Sequence, residues 1–186
     1  MTAEASRLED QLRRALEGDA WHGPSLLELL DGLTAAQAAS HPIPGAHSIW
    51  ELVLHVSSDY DLLLRRLAGD GHPLTANEDW PACPQPTEIN WHETVQGLKR
   101  GSEKLRRAVR GFPDDRLDEL LVPESPYTAY AQFIGVTQHN LYHAGQIALL
   151  KRALTATSLS ALPSGAAPAP AHPSGDAGTP ASDPSS

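Results

Sequence analysis

The chain has 186 residues, with 14 Lys and Arg against 23 Asp and Glu, a formal net charge of −9. An acidic chain of this kind lacks the clustered positive charge that gripping phosphate backbone requires, which argues against a nucleic-acid partner, and no run approaches the ~18 uninterrupted apolar residues of a membrane span. A single cysteine, Cys83, excludes an intramolecular disulfide, and the opening MTAEASRLEDQLRR has no basic segment followed by an apolar one; both fit a cytoplasmic protein.

In chain order the periodicity is helical, with no convincing alternating strand. Leu8, Leu12 and Leu16 recur every four residues and predict a first helix over about Ala5–Gly18. A short helical piece follows Pro24, a residue well suited to a first turn, and Thr34 is placed to cap another. Ser48-Ile49-Trp50-Glu51 has the form of a capping box, in which a hydroxyl and a carboxylate three residues apart exchange hydrogen bonds with each other's backbone. It opens a second long helix to about Ala68, with Leu52, Val53, Val56, Tyr60, Leu63 and Leu67 on one side. Asn90–Glu93 gives a similar start for a third helix ending near Phe112. A fourth runs from about Thr128 to Leu154 with no internal proline. Long helices without a sheet predict an all-α, four-helix bundle.

Residues 69–89 hold four prolines and no helical pattern. About 20 extended residues reach ~66 Å, whereas a helix of ~21 residues is only ~32 Å long. This segment can cross the whole bundle, so the second and third long helices are expected to run parallel, joined by a crossover. Beyond Leu154 the composition changes. From Thr155 to Ser186, 27 positions are Ala, Ser, Pro, Gly or Thr, with no Lys, Arg or aromatic residue. Such a stretch cannot bury enough apolar surface to offset the entropy of ordering it. The expected division is a folded domain over 1–154 and a disordered tail over 155–186.

Nine histidines are the compositional oddity. His139 and His143 lie four apart on the fourth helix and so leave the same face, a stripe formed with Val136, Ile147 and Leu150. His55 lies on an inward face of the second helix, between Leu52 and Asp59. Three neutral imidazoles can hold zinc or nickel and leave coordination positions open. The spacing alone also admits three independent core histidines, each neutral and hydrogen-bonded.

The segments HSIWELVLHV (47–56) and QHNLYHAGQIALLKR (138–152), on either side of the long crossover, resemble the DinB family of damage-inducible, metal-binding four-helix bundles. AWHGPSLLELLDGLT and DWP are similar to a common subgroup. The resemblance covers about residues 5–154. It implies an up-down-down-up bundle, often a homodimer, with metal ligands on His55, His139 and His143. Gly145, Gln146 and Ile147 match the rest of the helix-four motif. It also implies a low-molecular-weight thiol such as bacillithiol or mycothiol as cosubstrate, in S-transferases and isomerases. The leading expectation is a metal-dependent thiol S-transferase acting on electrophiles or xenobiotics. The alternatives are a non-catalytic metal-binding stress-response bundle and a metal-free bundle that binds a small ligand.

His47, just before the Ser48 cap, and His22, beside Trp21, are candidate acid–base groups at the mouth of such a site, or exposed loop residues. Asp59 is placed either to orient an imidazole or to be solvated. Trp50 and Trp91 are expected in the core. Trp80 lies in the crossover, where it can fold over the bundle mouth. Cys83 has no basic neighbour to activate it. Lys99, Arg100, Lys104, Arg106, Arg107 and Arg110 form a basic run on the third helix, read as a solvated face paired with local acids or as a docking surface for an anionic thiol.

Overall fold

The computed structural model describes residues 3–160, with side chains described as far as residue 155. The expected disordered tail falls, from 161 on, outside the described residues. Seven α-helices form within them: α1 (Glu4–Glu17), α2 (Leu26–Leu30), α3 (Ala35–Ala39), α4 (Ile49–Leu67), α5 (Ala76–Asp79), α6 (Glu88–Arg110) and α7 (Ala129–Ser160). A 3₁₀ turn at Asp114–Arg116 lies between α6 and α7, and the only extended pairing among the described residues is an isolated bridge between Leu120 and Thr128. The protein is an all-helical bundle.

Local chemistry sets the helix starts. Capping boxes at Ser25/Glu28, Thr34/Gln37, Ser48/Glu51 and Thr75/Glu78 open α2, α3, α4 and α5. Each satisfies backbone N–H groups that the first turn would otherwise leave without partners. The last of these corrects the reading of the crossover as lacking helix, because Thr75 and Glu78 make one turn in the middle of it. The start of α6 also moves. Thr87 Oγ1 accepts from Asn90 N at 3.2 Å, so the helix begins at Glu88 and Asn90 lies within its first turn. α7 continues to Ser160, past the expected end at Leu154, since no Gly or Pro stands between Leu154 and Pro163.

α1 starts without a side-chain cap of its own. The Asp114 carboxylate, from the far side of the chain, accepts from Glu4 N at 2.8 Å and Ala5 N at 3.0 Å. Those backbone hydrogen bonds hold its carboxyl below the usual range. α1 packs on α6 and α7, and α4 packs on the same two helices. Trp50 Nε1 donates to Thr94 Oγ1 at 3.1 Å, and the Trp50 and Trp91 rings are 5.1 Å apart. Further along, Tyr60 packs against Gly101, its Cδ2 3.4 Å from where a Cβ there would sit. Both pairs advance together, and α4 and α6 therefore run side by side in the same direction. Against α7 the order reverses, with His55 beside His139 and His143, and Arg66 beside Gln132.

The core between these helices holds Trp50, Tyr60, Phe133, Leu12, Leu16, Leu98, Leu105 and Ile147, all fully buried. Each such side chain contributes about 1.5–3 kcal/mol by leaving water. Two members of the basic run on α6 turn out to be structural. Arg106 and Arg110 reach across to Glu9 of α1, 3% exposed, at 2.7 and 2.6 Å, and Arg106 also meets Glu17. Burial pushes the Glu9 carboxyl up, but the hydrogen bonds from Arg110 and Arg106 together outweigh it and hold the group below its ordinary value.

Candidate metal centre

The site lies where the apolar stripes of α4 and α7 face each other. His55 projects from the second turn of α4, and His139 and His143 come from successive turns of α7. The Ser48 capping box fixes where α4 starts and hence which of its residues face inward. His55 and His143 are 8% and 5% exposed, and His139 lies at the edge of the core.

The three imidazoles point one nitrogen each at a common point. His139 Nε2 lies 3.1 Å from His55 Nε2 and 2.9 Å from His143 Nε2. Of the other ring nitrogens, those of His55 and His143 each meet an acceptor. His55 Nδ1 meets the Asp79 backbone carbonyl at 2.9 Å and the Asp79 carboxylate at 3.1 Å. His143 Nδ1 meets Gln146 Oε1 at 2.7 Å. Asp59 Oδ2 lies 2.9 Å from His139 Nδ1, beside the ring rather than in line with its N–H. A carbonyl can only accept, so the proton of His55 belongs on Nδ1, and the amide oxygen of Gln146 sets His143 in the same way. These tautomers leave the Nε2 lone pairs of His55 and His143 bare and facing His139 Nε2.

Crowded lone pairs repel one another unless a cation lies between them. Tetrahedral zinc with bonds of about 2.05 Å needs ligand nitrogens about 3.3 Å apart, a few tenths of an ångström from the two separations here. Burial is the main reason the His143 imidazole is pushed down, to about 4, with the neighbouring His139 and His55 adding to the effect against the Gln146 hydrogen bond. That ring is therefore neutral at neutral pH, the form a metal requires. Chemistry, tautomer and spacing all fit a divalent ion held by His55, His139 and His143.

The family model of the DinB superfamily matches residues 20–147. The chain belongs to the DinB superfamily. No curated protein and no solved structure matches it. The matched span contains all three histidines, together with Asp59, Asp79 and Gln146.

The crossover closes one side of this DinB site. Trp80 stacks on His55, with centroids 4.1 Å apart and planes at 5°, and on His47, at 3.8 Å and 13°. Two rings so close to one indole and so nearly parallel to it fit only on its opposite faces. His47 is thus separated from the histidine cluster by the thickness of Trp80. It is half exposed, with Nδ1 3.7 Å from Glu51. His22 is not brought to the site. It lines a groove with Leu141, Ala144 and Gly145, on the side of α7 away from His139 and His143. His41 pairs with Glu51 and His72 with Asp70, both at the surface. Cys83 is exposed, and partial burial of its thiol, with Glu51 nearby, pushes it up and keeps it protonated.

A cavity of about 420 Å³ opens beside the cluster between α4 and α7. Asp59 and His139 line one end, Leu62, Leu63, Ala131 and Val136 the middle, and Arg66 and Gln132 the other end. Sequence reasoning passed over Asp79, Arg66 and Gln132. Arg66 follows Asp59 by seven residues, two turns along the same face of α4, a signal that spacing does carry. Asp79 has no such signal, because only the path of the crossover brings it to His55.

Proposed function

We propose that this DinB protein is a metal-dependent S-transferase that joins a low-molecular-weight thiol, such as bacillithiol, to an electrophilic small molecule. The observation that carries the reading is the convergence of three imidazole nitrogens at the edge of an apolar cavity of ligand size. His55, His139 and His143 would hold zinc or nickel. When bound, a divalent ion with three uncharged ligands keeps its full charge and favours the thiol as thiolate.

The chain's own groups supply the rest. Asp79 and Gln146 orient the His55 and His143 rings and hold the proton of each on Nδ1, and the Asp59 carboxylate stands beside His139. Trp80 and the apolar cavity walls keep water from the reacting atoms, which strengthens every charge interaction there. In the reaction, the thiol sulfur forms a bond to the electrophilic carbon, and the leaving group departs with its electron pair, matched by the proton the thiol releases. His47, stacked on the outer face of Trp80, would take up a proton at the rim rather than at the reacting centre. We also read the protein as a homodimer, since Tyr142 and Leu149 form an exposed apolar edge on α7, 65% and 59% exposed. A cytoplasmic location fits the single cysteine.

The experiment is a conjugation assay with bacillithiol, mycothiol and glutathione against a panel of electrophiles, using protein loaded with zinc or nickel. Thiol-dependent turnover that is lost in His139→Ala, with helical content retained, supports the reading. Metal-loaded protein that turns over nothing, or H139A that turns over unchanged, contradicts it and favours a metal-binding bundle without catalysis.

A further inference from the structure

The cavity beside the histidine cluster is asymmetric. At its inner end stands the Asp59 carboxylate, 2.9 Å from His139 Nδ1. At its outer end stands Arg66, half-buried, whose Nη1 donates to Gln132 Oε1 at 2.9 Å. Gln132, 7% exposed, is locked in turn by its own Nε2 donating to the Tyr127 carbonyl at 2.9 Å. Among the described residues no carboxylate lies within ion-pair distance of Arg66, and its buried Nε has no hydrogen-bond partner. Its neighbour Arg65, by contrast, is paired with Glu78 at 3.2 Å.

A partly buried guanidinium without a counter-charge is costly, and its planar fork is suited to a carboxylate. Gln132 fixes its direction, so the fork is pre-oriented rather than free to sweep through solvent. Asp59 repels an anion from the inner end, which decides the polarity of any ligand. Asp59 and Arg66 are seven residues apart on one helix, a separation of about 10 Å. The walls between them are leucine, alanine and valine.

We propose that this cavity binds a small carboxylate-bearing molecule, its carboxylate on Arg66 and its uncharged, apolar body directed along the cavity toward the histidine cluster. The inference rests on the proposed function and deepens it, by specifying an acid as one of the two reactants. Either the thiol or the electrophile could bring the carboxylate.

The test measures binding by calorimetry to the full chain, loaded with zinc. The probes are two acid–amide pairs: 4-phenylbutyrate with 4-phenylbutyramide for the electrophile, and N-acetylcysteine with N-acetylcysteinamide for the thiol. At least one acid should bind roughly tenfold or more tightly than its amide, as expected of a charge-assisted hydrogen bond. In Arg66→Gln that preference should vanish while amide binding, zinc content and melting temperature stay unchanged. Arg66→Lys should keep part of it. The pair that shows the preference identifies which reactant carries the acid. Equal binding of acid and amide in both pairs, or a preference that survives R66Q, overturns the proposal. Binding is read without turnover, so either result leaves the transferase reading to its own conjugation assay.

Discussion

Gln146→Leu isolates what the groups behind the ligands do. Leu is similar in size and forms helix well, so α7 should persist, while His143 Nδ1 loses the acceptor that lies 2.7 Å away. That hydrogen bond fixes the tautomer with a bare Nε2 and the angle at which the ring presents it. Removing such a partner typically costs roughly 10–100-fold in metal affinity, which is about 1.4–2.7 kcal/mol. His143 has no second acceptor on Nδ1 to compensate, whereas Asp79 offers His55 both a carbonyl and a carboxylate. The loss should therefore fall toward the upper part of that range. Zinc affinity is read by competition with a fluorescent chelator at pH 7.5, alongside Gln146→Glu, which restores an acceptor and should recover affinity to within a few-fold. If Q146L binds zinc within about twofold of the parent, the hydrogen bond does not organise the site and the tautomer reasoning fails.

Three further outcomes follow from the same geometry. Trp80→Ala removes the ring stacked between His55 and His47, a contact worth about 0.5–1.5 kcal/mol beyond its buried area; zinc affinity should fall by up to about tenfold, and an unchanged value would show that the crossover does not brace His55. Glu9→Gln leaves Arg106 and Arg110 without their shared carboxylate at the α1–α6 contact, which should cost about 3 kcal/mol by chemical denaturation, less to the extent that Arg110 remains solvated; a loss under about 0.5 kcal/mol would place Glu9 among surface ion pairs. Because the folded protein pushes the His143 imidazole down to about 4 from 6.5, the unfolded chain takes up its proton first as pH falls. Metal-free protein should therefore lose stability between pH 6.5 and 4, with nothing from this group above that window, and a melting-temperature difference from His143→Gln that is constant from pH 7.5 to 5 would contradict the assignment.

The sequence and the structure agree best where the information is local. The Ser48–Glu51 box places the start of α4 directly, and four-residue spacing on a proline-free helix puts His139 and His143 on one face. His55 needed only the inward stripe of α4 to join them. The disagreements arise where chain path decides. Asp79 reaches His55 because a capping box inside a proline-rich crossover folds one turn that periodicity alone does not reveal, and that turn also delivers Trp80. His22 looked like a rim residue because it follows an aromatic near a helix start, yet the loop between α1 and α2 leads it to the back of α7. Arg66 was passed over for a different reason. In sequence it is one half of an ordinary Arg-Arg pair, and only packing gives Arg65 a carboxylate and denies one to Arg66.

The most direct test is the metal content of protein purified without a metal-affinity tag. About one zinc or nickel per chain is expected, retained on dialysis at pH 7.5 and lost in His139→Ala, together with a higher melting temperature for the loaded form. Metal-free protein that gains no stability on titration with either ion would contradict the three-histidine centre and everything built on it.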